Sequence, residues 1–297
     1  MNNWIIEFID LWQGSESREL QKALDLKYQN LPKLIYKYRS FDKNNYAINN
    51  LIHDNVWLSP PNKFNDPYDS LASVDVDLII DKVHLKAIKN LIFLYGMTNE
   101  EIAAMNTLPS VQKQIKETKE SGSKDLKGVL DSLRNSLNVC SFTENKDNLV
   151  MWSHYANNHS GFCIEYDLSK IERENKLIEY LLPVIYTENI FEMTENLSRQ
   201  LKGKSVGNIM LLSPLYKYKD WSYEKEWRLV LTDLKKTIDE FNMPKPKAIY
   251  LGTKISEDNK KNIIQIVKSK SINVYQMKMS SSEFKLVAEK LTPMKIT

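Results

Sequence analysis

The sequence predicts an α+β fold with a mixed or antiparallel central sheet, flanking helices and one helical insertion. Three observations carry this prediction. Segments of strand texture are short. Helices fall between them without the regular βαβ alternation of a doubly wound fold. Neither GxGxxG nor GxxxxGK occurs among the eight glycines, so the phosphate loops of such folds are missing. A length of 297 residues suits one large domain or two ordinary ones. We expect an N-terminal amphipathic helix within 1–30, then one α+β domain over 31–297 with a helical insertion at about 78–137.

The elements follow in chain order. Trp4, Ile5, Phe8, Ile9 and Trp12 recur at helical spacing, which predicts an amphipathic helix docked on the body. LPKLIYKYRSF is filled with aromatic and branched residues after Pro32 and reads as a strand. YAINNLIHDNVWLSPP gives a short helix, a turn at Asp54-Asn55 and a strand through Val56-Trp57-Leu58. PPNKFNDPYDS is dense in Pro, Asn and Asp, a loop of defined turns in which Pro67 fixes its own φ and restricts Asp66. It should lie beside Tyr155, with Asp66 or Asn65 bonded to nearby backbone. The insertion is Lys/Glu/Leu-rich, apolar at helical spacing in HLKAIKNLIFLYG and LKGVLDSLRNSL, and is broken between them by Ser-Gly-Ser. Strand texture returns in LNVCSFT, GFCIEYD, LPVIYT, EWRLVLT, PKAIYLG and INVYQMKM. A helical stretch is expected over 189–212, and Ser256 with Glu257 behind it starts a capped helix.

Composition narrows the function classes. Forty-one Lys+Arg against 38 Asp+Glu leave a net charge of +3, no general electrostatic case for nucleic acid or membrane surfaces. Two cysteines, Cys140 and Cys163, imply no disulfide framework and fit a reducing compartment. No run approaches the ~20 apolar residues that cross a bilayer. Acidic residues interrupt the apolar N-terminus, and it lacks a basic lead-in, so it does not read as a signal peptide. The expectation is a cytoplasmic protein with no membrane partner.

Three clusters could carry chemistry. The densest, Met151 to Gly161, holds Trp152, His154, Tyr155, Asn157, Asn158 and His159 just before an apolar strand, a common way to build a ligand pocket. The structural alternative packs Trp152 and Tyr155 as core and uses the histidines as turn caps. His154 and His159 with Glu165 and Asp167 also permit a metal site, although a spacing of five residues requires a loop. In the second cluster, Glu224, Glu226 and Arg228 project from one face if 224–228 are extended. Paired carboxylates repel, so one should be bonded, ion-paired or raised in pKa. Trp221, Tyr223 and Trp227 suggest a partly buried setting. In the third, Tyr36, Tyr38 and Ser40 share one face of their strand while Lys37 and Arg39 share the other, as an edge feature or an anion ligand.

KYRSF, FNDPYD, CSFTENKDNLVMWSHYANNHSGFCIEYD, PVIYT, YEKEWRL and IYLG together resemble the bacterial family called domain of unknown function 2971. The resemblance spans about residues 33 to 290, with 80–135 the least matched part. FNDPYD and MWSHYANNHSG are its specific motifs. A second, remoter resemblance is to ADP-ribosyltransferase-like folds, which carry an Arg or His on the first strand, a Ser- or Tyr-bearing second element and a Glu-x-Glu pair on a later strand. Here Arg39 with Tyr38, then Ser141-Phe142-Thr143, then Glu224-Lys225-Glu226 stand in that order. The departures are Ser-Phe-Thr in place of Ser-Thr-Ser and a spacing stretched by the insertion.

That resemblance implies an NAD-using transferase or glycohydrolase, with NAD as substrate, no metal, and a protein or nucleic-acid acceptor. Glu226 would face the oxocarbenium-like centre, Glu224 would orient or deprotonate the acceptor, and Arg39 would pair with the pyrophosphate. Tyr155 or Trp152 would stack on nicotinamide, while Tyr38, Ser141, Thr143, Asn65, Asp66 and His154 complete the expected site. A toxin or anti-phage defence effector would suit such chemistry. The alternatives are a nucleotide- or protein-binding regulatory module without catalysis, and a metal-dependent hydrolase or nuclease using the histidines with Asp66, Asp69 or Asp167.

Overall fold

The computed structural model describes residues 3–14, 16–203, 211–232 and 239–291. The N-terminal segment folds as two helices rather than one, α1 Asn3–Trp12 and α2 Ser17–Gln29. As its periodicity predicts, α1 buries Phe8, Ile9 and Trp12, and Trp4 stacks on Trp227 at 6.1 Å. β1 (Leu34–Arg39) follows, then α3 (Tyr46–His53), a left-handed turn at Asp54, and β2 (Asn55–Trp57). The FNDPYD loop leads to β3 (Ala72–Ser73) and into the insertion: α4 (Val76–Tyr95), α5 (Asn99–Asn106) and α6 (Pro109–Asn135).

Ser121-Gly122-Ser123 does not interrupt α6, contrary to expectation. A side chain at Gly122 would stand 2.9 Å from Ile80 of α4, so the small residue marks a close helix crossing. Lys119 reaches Asp81 of α4 at 2.9 Å. One interior glycine costs about 1 kcal/mol relative to alanine, which a long helix braced by its neighbour tolerates.

The second half supplies β4 (Leu137–Thr143), α7 (Leu149–Tyr155), β5 (Phe162–Asp167), α8 (Lys176–Tyr180), β6 (Leu181–Pro183), β7 (Ile185–Thr187), β8 (Phe191–Glu192), α9 (Thr194–Leu201), β9 (Tyr216–Tyr218), β10 (Glu226–Thr232), β11 (Glu240–Asn242), β12 (Ala248–Leu251), α10 (Glu257–Ser269), β13 (Asn273–Met279) and β14 (Leu286–Lys290). LPVIYT, read as one strand, divides at Val184: β6 pairs with β10 and β7 turns away to pair with β9. The helix expected over 189–212 shortens to α9, because Phe191–Glu192 pair with β3; residues 204–210 lie outside the described residues. Ser256 caps α10 as expected, its Oγ accepting the Asn259 N–H at 3.3 Å.

The main sheet has the order β14-β13-β12-β5-β1-β4-β10-β6, antiparallel throughout except for β12 beside β13. This is the mixed α+β architecture the sequence predicts. One face of the sheet buries Ile35, Phe142, Trp227, Leu229, Ile249 and Leu251 against α3, α8 and α10. The other carries two separate apolar clusters. One is built on Phe8, Leu137, Val139 and Val230; the other on Tyr36, Tyr38, Trp152 and Cys163.

The chain between α7 and β5 reverses through three consecutive left-handed residues, Asn157, Asn158 and His159 (φ 46°, 52° and 68°). Asparagine tolerates that region better than most residues. Gly161 and Gly252 then let backbones touch: a Cβ would lie 2.1 Å from the Arg39 carbonyl oxygen at the first and 2.1 Å from that of His159 at the second. Gly161→Ala is therefore expected to cost about 1–3 kcal/mol through backbone displacement. Urea unfolding of the purified variant measures this, and an unchanged midpoint would contradict it.

Candidate functional site

β1 and β4 meet at Tyr36 opposite Thr143 and then part. At the far end of β4 the partner is Ser59, whose N–H donates to the Val139 carbonyl (3.0 Å) and whose carbonyl accepts from Val139 (2.9 Å). Between these clamps the sheet opens into a cavity of about 270 Å³, lined by Tyr36 to Arg39 of β1 and Val139 to Thr143 of β4. Lys37 crosses the gap, its Nζ donating to the Ser141 carbonyl at 2.8 Å. Alternation along β1 puts Lys37 and Arg39 on one face and Tyr36 and Tyr38 on the other. Arg39 bonds Asn50 of α3.

Glu226 and Arg228 sit opposite Thr143 and Ser141 across β10 and so project together on the Tyr36 face. Arg228 is completely buried and forms two forks. It meets both Asp69 oxygens at 2.6 Å, and it reaches Glu226 through Nε (2.9 Å) and Nη2 (3.1 Å). Lys217 of β9 completes the cluster, with its Nζ at 2.5 Å from Glu224 and 2.9 Å from Glu226. Tyr155 donates its hydroxyl to the remaining oxygen of Glu224 at 2.6 Å. Three carboxylates thus face two cations. The network lies between the two apolar clusters of that face, where an unpaired charge is expensive.

Glu224, Glu226 and Arg228 converge, but not through an extended 224–228. Glu224 ends a 3-10 segment, Lys219–Glu224, and Lys225 is left-handed (φ 43°), which folds Glu224 back toward the strand face. Thr143 fixes that turn by donating its hydroxyl to the Glu224 carbonyl.

Burial raises the Glu226 carboxyl, but Arg228 and Lys217 outweigh it and hold the group well below the usual carboxylate range. Burial also raises Glu224; Lys217 opposes this, the charge of Glu226 adds to it, and the result stays raised. The pair is therefore unequal: Glu226 is held firmly as the anion, whereas Glu224 is the more basic carboxylate of the two. A depressed carboxyl contributes above its ordinary pKa of 4.5 and loses that contribution as pH falls toward the folded-state value. Unfolding free energy should thus drop between about pH 5 and pH 3, and by less in Glu226→Gln, as denaturant titrations at both pH values would show.

Of the residues singled out from sequence, Tyr38, Arg39, Asn65, Ser141, Thr143, Tyr155, Glu224 and Glu226 line this one cavity. The Tyr38 ring packs at 5.1 Å against Trp152, and its hydroxyl donates to the Asn145 carbonyl. Trp152 is fully buried with its indole N–H on the Lys146 carbonyl, which corrects its expected stacking role. His154 is exposed outside the cavity, its ring 6.3 Å from that of Trp221. Asp66 accepts the Tyr68 N–H at 2.9 Å and lines a neighbouring cavity instead. Sequence reading missed Asp69 as an Arg228 partner, and it missed Lys217 altogether. FNDPYD, rigid and rich in carboxylates, was the available signal for Asp69; KYK in YKYKD offered none for Lys217.

The neighbouring cavity, about 540 Å³, lies against the same wall and shares Asn65 and Lys217 with the first. Among the described residues no group of three or more His, Cys, Asp or Glu is placed to hold a metal ion. The side chains of the metal reading are spent elsewhere: Glu165 accepts the Tyr250 hydroxyl at 2.6 Å, Asp167 pairs with Lys247 at 3.1 Å, and His159 Nε2 lies 3.1 Å from Ser153 Oγ. Cys140 and Cys163 are free, buried thiols. No described helix is long and apolar enough to cross a membrane.

Residues 151–229 match the model of the family described as "Protein of unknown function (DUF2971)". The matched segment begins in α7 and ends in β10, so it contains Tyr155, Lys217, Glu224, Glu226 and Arg228. No curated protein and no solved structure matches the chain.

Proposed function

We propose that this chain is an NAD-using enzyme of the cytoplasm that breaks the nicotinamide–ribose bond, as an ADP-ribosyl transferase or as a glycohydrolase. The observation that supports it is the charge arrangement of the sheet cavity. Carboxylates outnumber cations on the Glu226 side, while Lys37, Arg39 and Lys63 line the same cavity. A surplus of negative charge in a dry setting favours an oxocarbenium-like centre more than the neutral sugar. The basic side chains suit a pyrophosphate. Glu224, raised in pKa and held by Tyr155, is positioned to take a proton from an attacking hydroxyl, amine or water.

A second reading, a nucleotide-binding module without catalysis, gains from the commitment of both Glu226 oxygens to Arg228 and Lys217. Incubation with NAD, with nicotinamide release and melting temperature both followed, separates the two. Release supports the enzyme, while stabilisation without release supports the module. Neither effect would remove NAD from consideration.

A further inference from the structure

The larger cavity beside the sheet opening has a chemistry of its own. Tyr68, Tyr216, Tyr218 and Trp221 contribute aromatic surface, and Asp66 and Glu188 contribute carboxylates. Tyr68 and Tyr218 are 67% and 46% exposed, so their rings are open to a ligand entering the cavity. The face of Trp221 already attracts a cation: the Lys217 ammonium stands 5.1 Å from its ring centre. That ammonium is neutralised from behind by Glu224 and Glu226. The carboxylates in and behind this wall, Asp66, Asp69, Glu188, Glu224 and Glu226, outnumber the cations there, Lys217, Lys219, Arg228 and the Arg134 guanidinium that donates to the Pro67 and Asp69 carbonyls. Aromatic faces together with surplus negative charge select a cation, and one with delocalised charge leaves water most readily. Asn65, Asn189 and Thr187 add amide and hydroxyl groups that can orient a planar ligand. The same charge surplus disfavours phosphate inside this cavity, so the phosphates of any nucleotide presenting its ring here would lie outside it.

We propose that this cavity is a recognition site for a planar organic cation, presented next to the Glu224–Lys217–Glu226 wall. The inference does not rest on NAD being the substrate. Two sources share the chemistry: a pyridinium ring carried by a nucleotide, and the guanidinium of an arginine side chain.

Calorimetric titration of the full chain with four probes distinguishes them: 1-methylnicotinamide, its neutral counterpart nicotinamide, N-acetylarginine amide, and its neutral isostere N-acetylcitrulline amide. At least one cation should bind about tenfold more tightly than its neutral counterpart, and which one does so names the source. Tyr218→Ala and Glu188→Gln, both at exposed positions, should each weaken that binding about fivefold. Their melting temperatures should stay unchanged. Equal binding of cation and neutral probe, binding of neither, or full affinity in Tyr218→Ala with the fold intact would overturn the proposal. Nicotinamide release from NAD is measured separately, so failure of that activity and failure of this site are distinct results.

Discussion

Arg228→Met is expected to destabilise the protein by about 3–5 kcal/mol, the largest loss expected from any single substitution in the buried charge network. Methionine fills similar space but leaves Asp69 and Glu226 buried without their forked partner. The cost arises from those stranded carboxylates more than from lost attraction, since a buried ion pair roughly cancels its own desolvation. Neutralising them should therefore return much of the loss. The triple variant Asp69→Asn, Glu226→Gln, Arg228→Met should be more stable than Arg228→Met alone. Equilibrium urea unfolding of the three proteins checks both statements. A single variant within about 1 kcal/mol of wild type would mean that water reaches the cluster.

The second large effect is on chemistry. Glu226→Gln retains shape but removes the charge, and nicotinamide release per folded molecule should fall about a hundredfold or more. NAD affinity should change little, because the charge acts chiefly on the transition state. The same substitution weakens the Arg228 fork, so melting temperature should fall with it and activity must be normalised to folded protein. Glu224→Gln behaves differently. Its carboxyl is raised by burial yet also pairs with Lys217 and accepts from Tyr155, so neutralising it should cost some stability, less than Arg228→Met does, because Glu226 still holds the Lys217 ammonium. Transfer to an acceptor should suffer while hydrolysis by water is spared. Full release in Glu226→Gln would end the proposed mechanism. Selective loss of stability in both variants, with no release in wild type, would favour a binding module.

Much of the scaffold was legible because its strands carry their own signal. The aromatic and branched residues of Leu34–Arg39, Glu226–Thr232 and Asn273–Met279 read as strand from local texture alone. The two- and three-residue pairs that shape the second cavity, β3 with β8 and β7 with β9, are too short for periodicity to register. The convergence of Glu224 and Glu226 was expected from an extended chain, whereas the left-handed Lys225 achieves it by another route. Lys217 was invisible because nothing in YKYKD distinguishes a lysine that will be buried from one left in water. Its setting arises only when the turn through Trp221 brings Glu224 and Glu226 back onto its ammonium. Trp152 shows the opposite error: an aromatic in a motif-rich segment that packing takes entirely into the core.

The parting of β1 from β4 has a mechanical consequence. Five strands, β14 to β1, and three, β4 to β6, behave as two plates joined at the Tyr36–Thr143 pair, with Ser59 bracing the opposite corner. Load applied across the sheet passes through that joint and the Lys37–Ser141 hydrogen bond, since no continuous ladder beside them shares the strain. A molecule wedged between the plates would act as a keystone. It would contact both at once, stiffening the whole sheet far beyond the few side chains it touches.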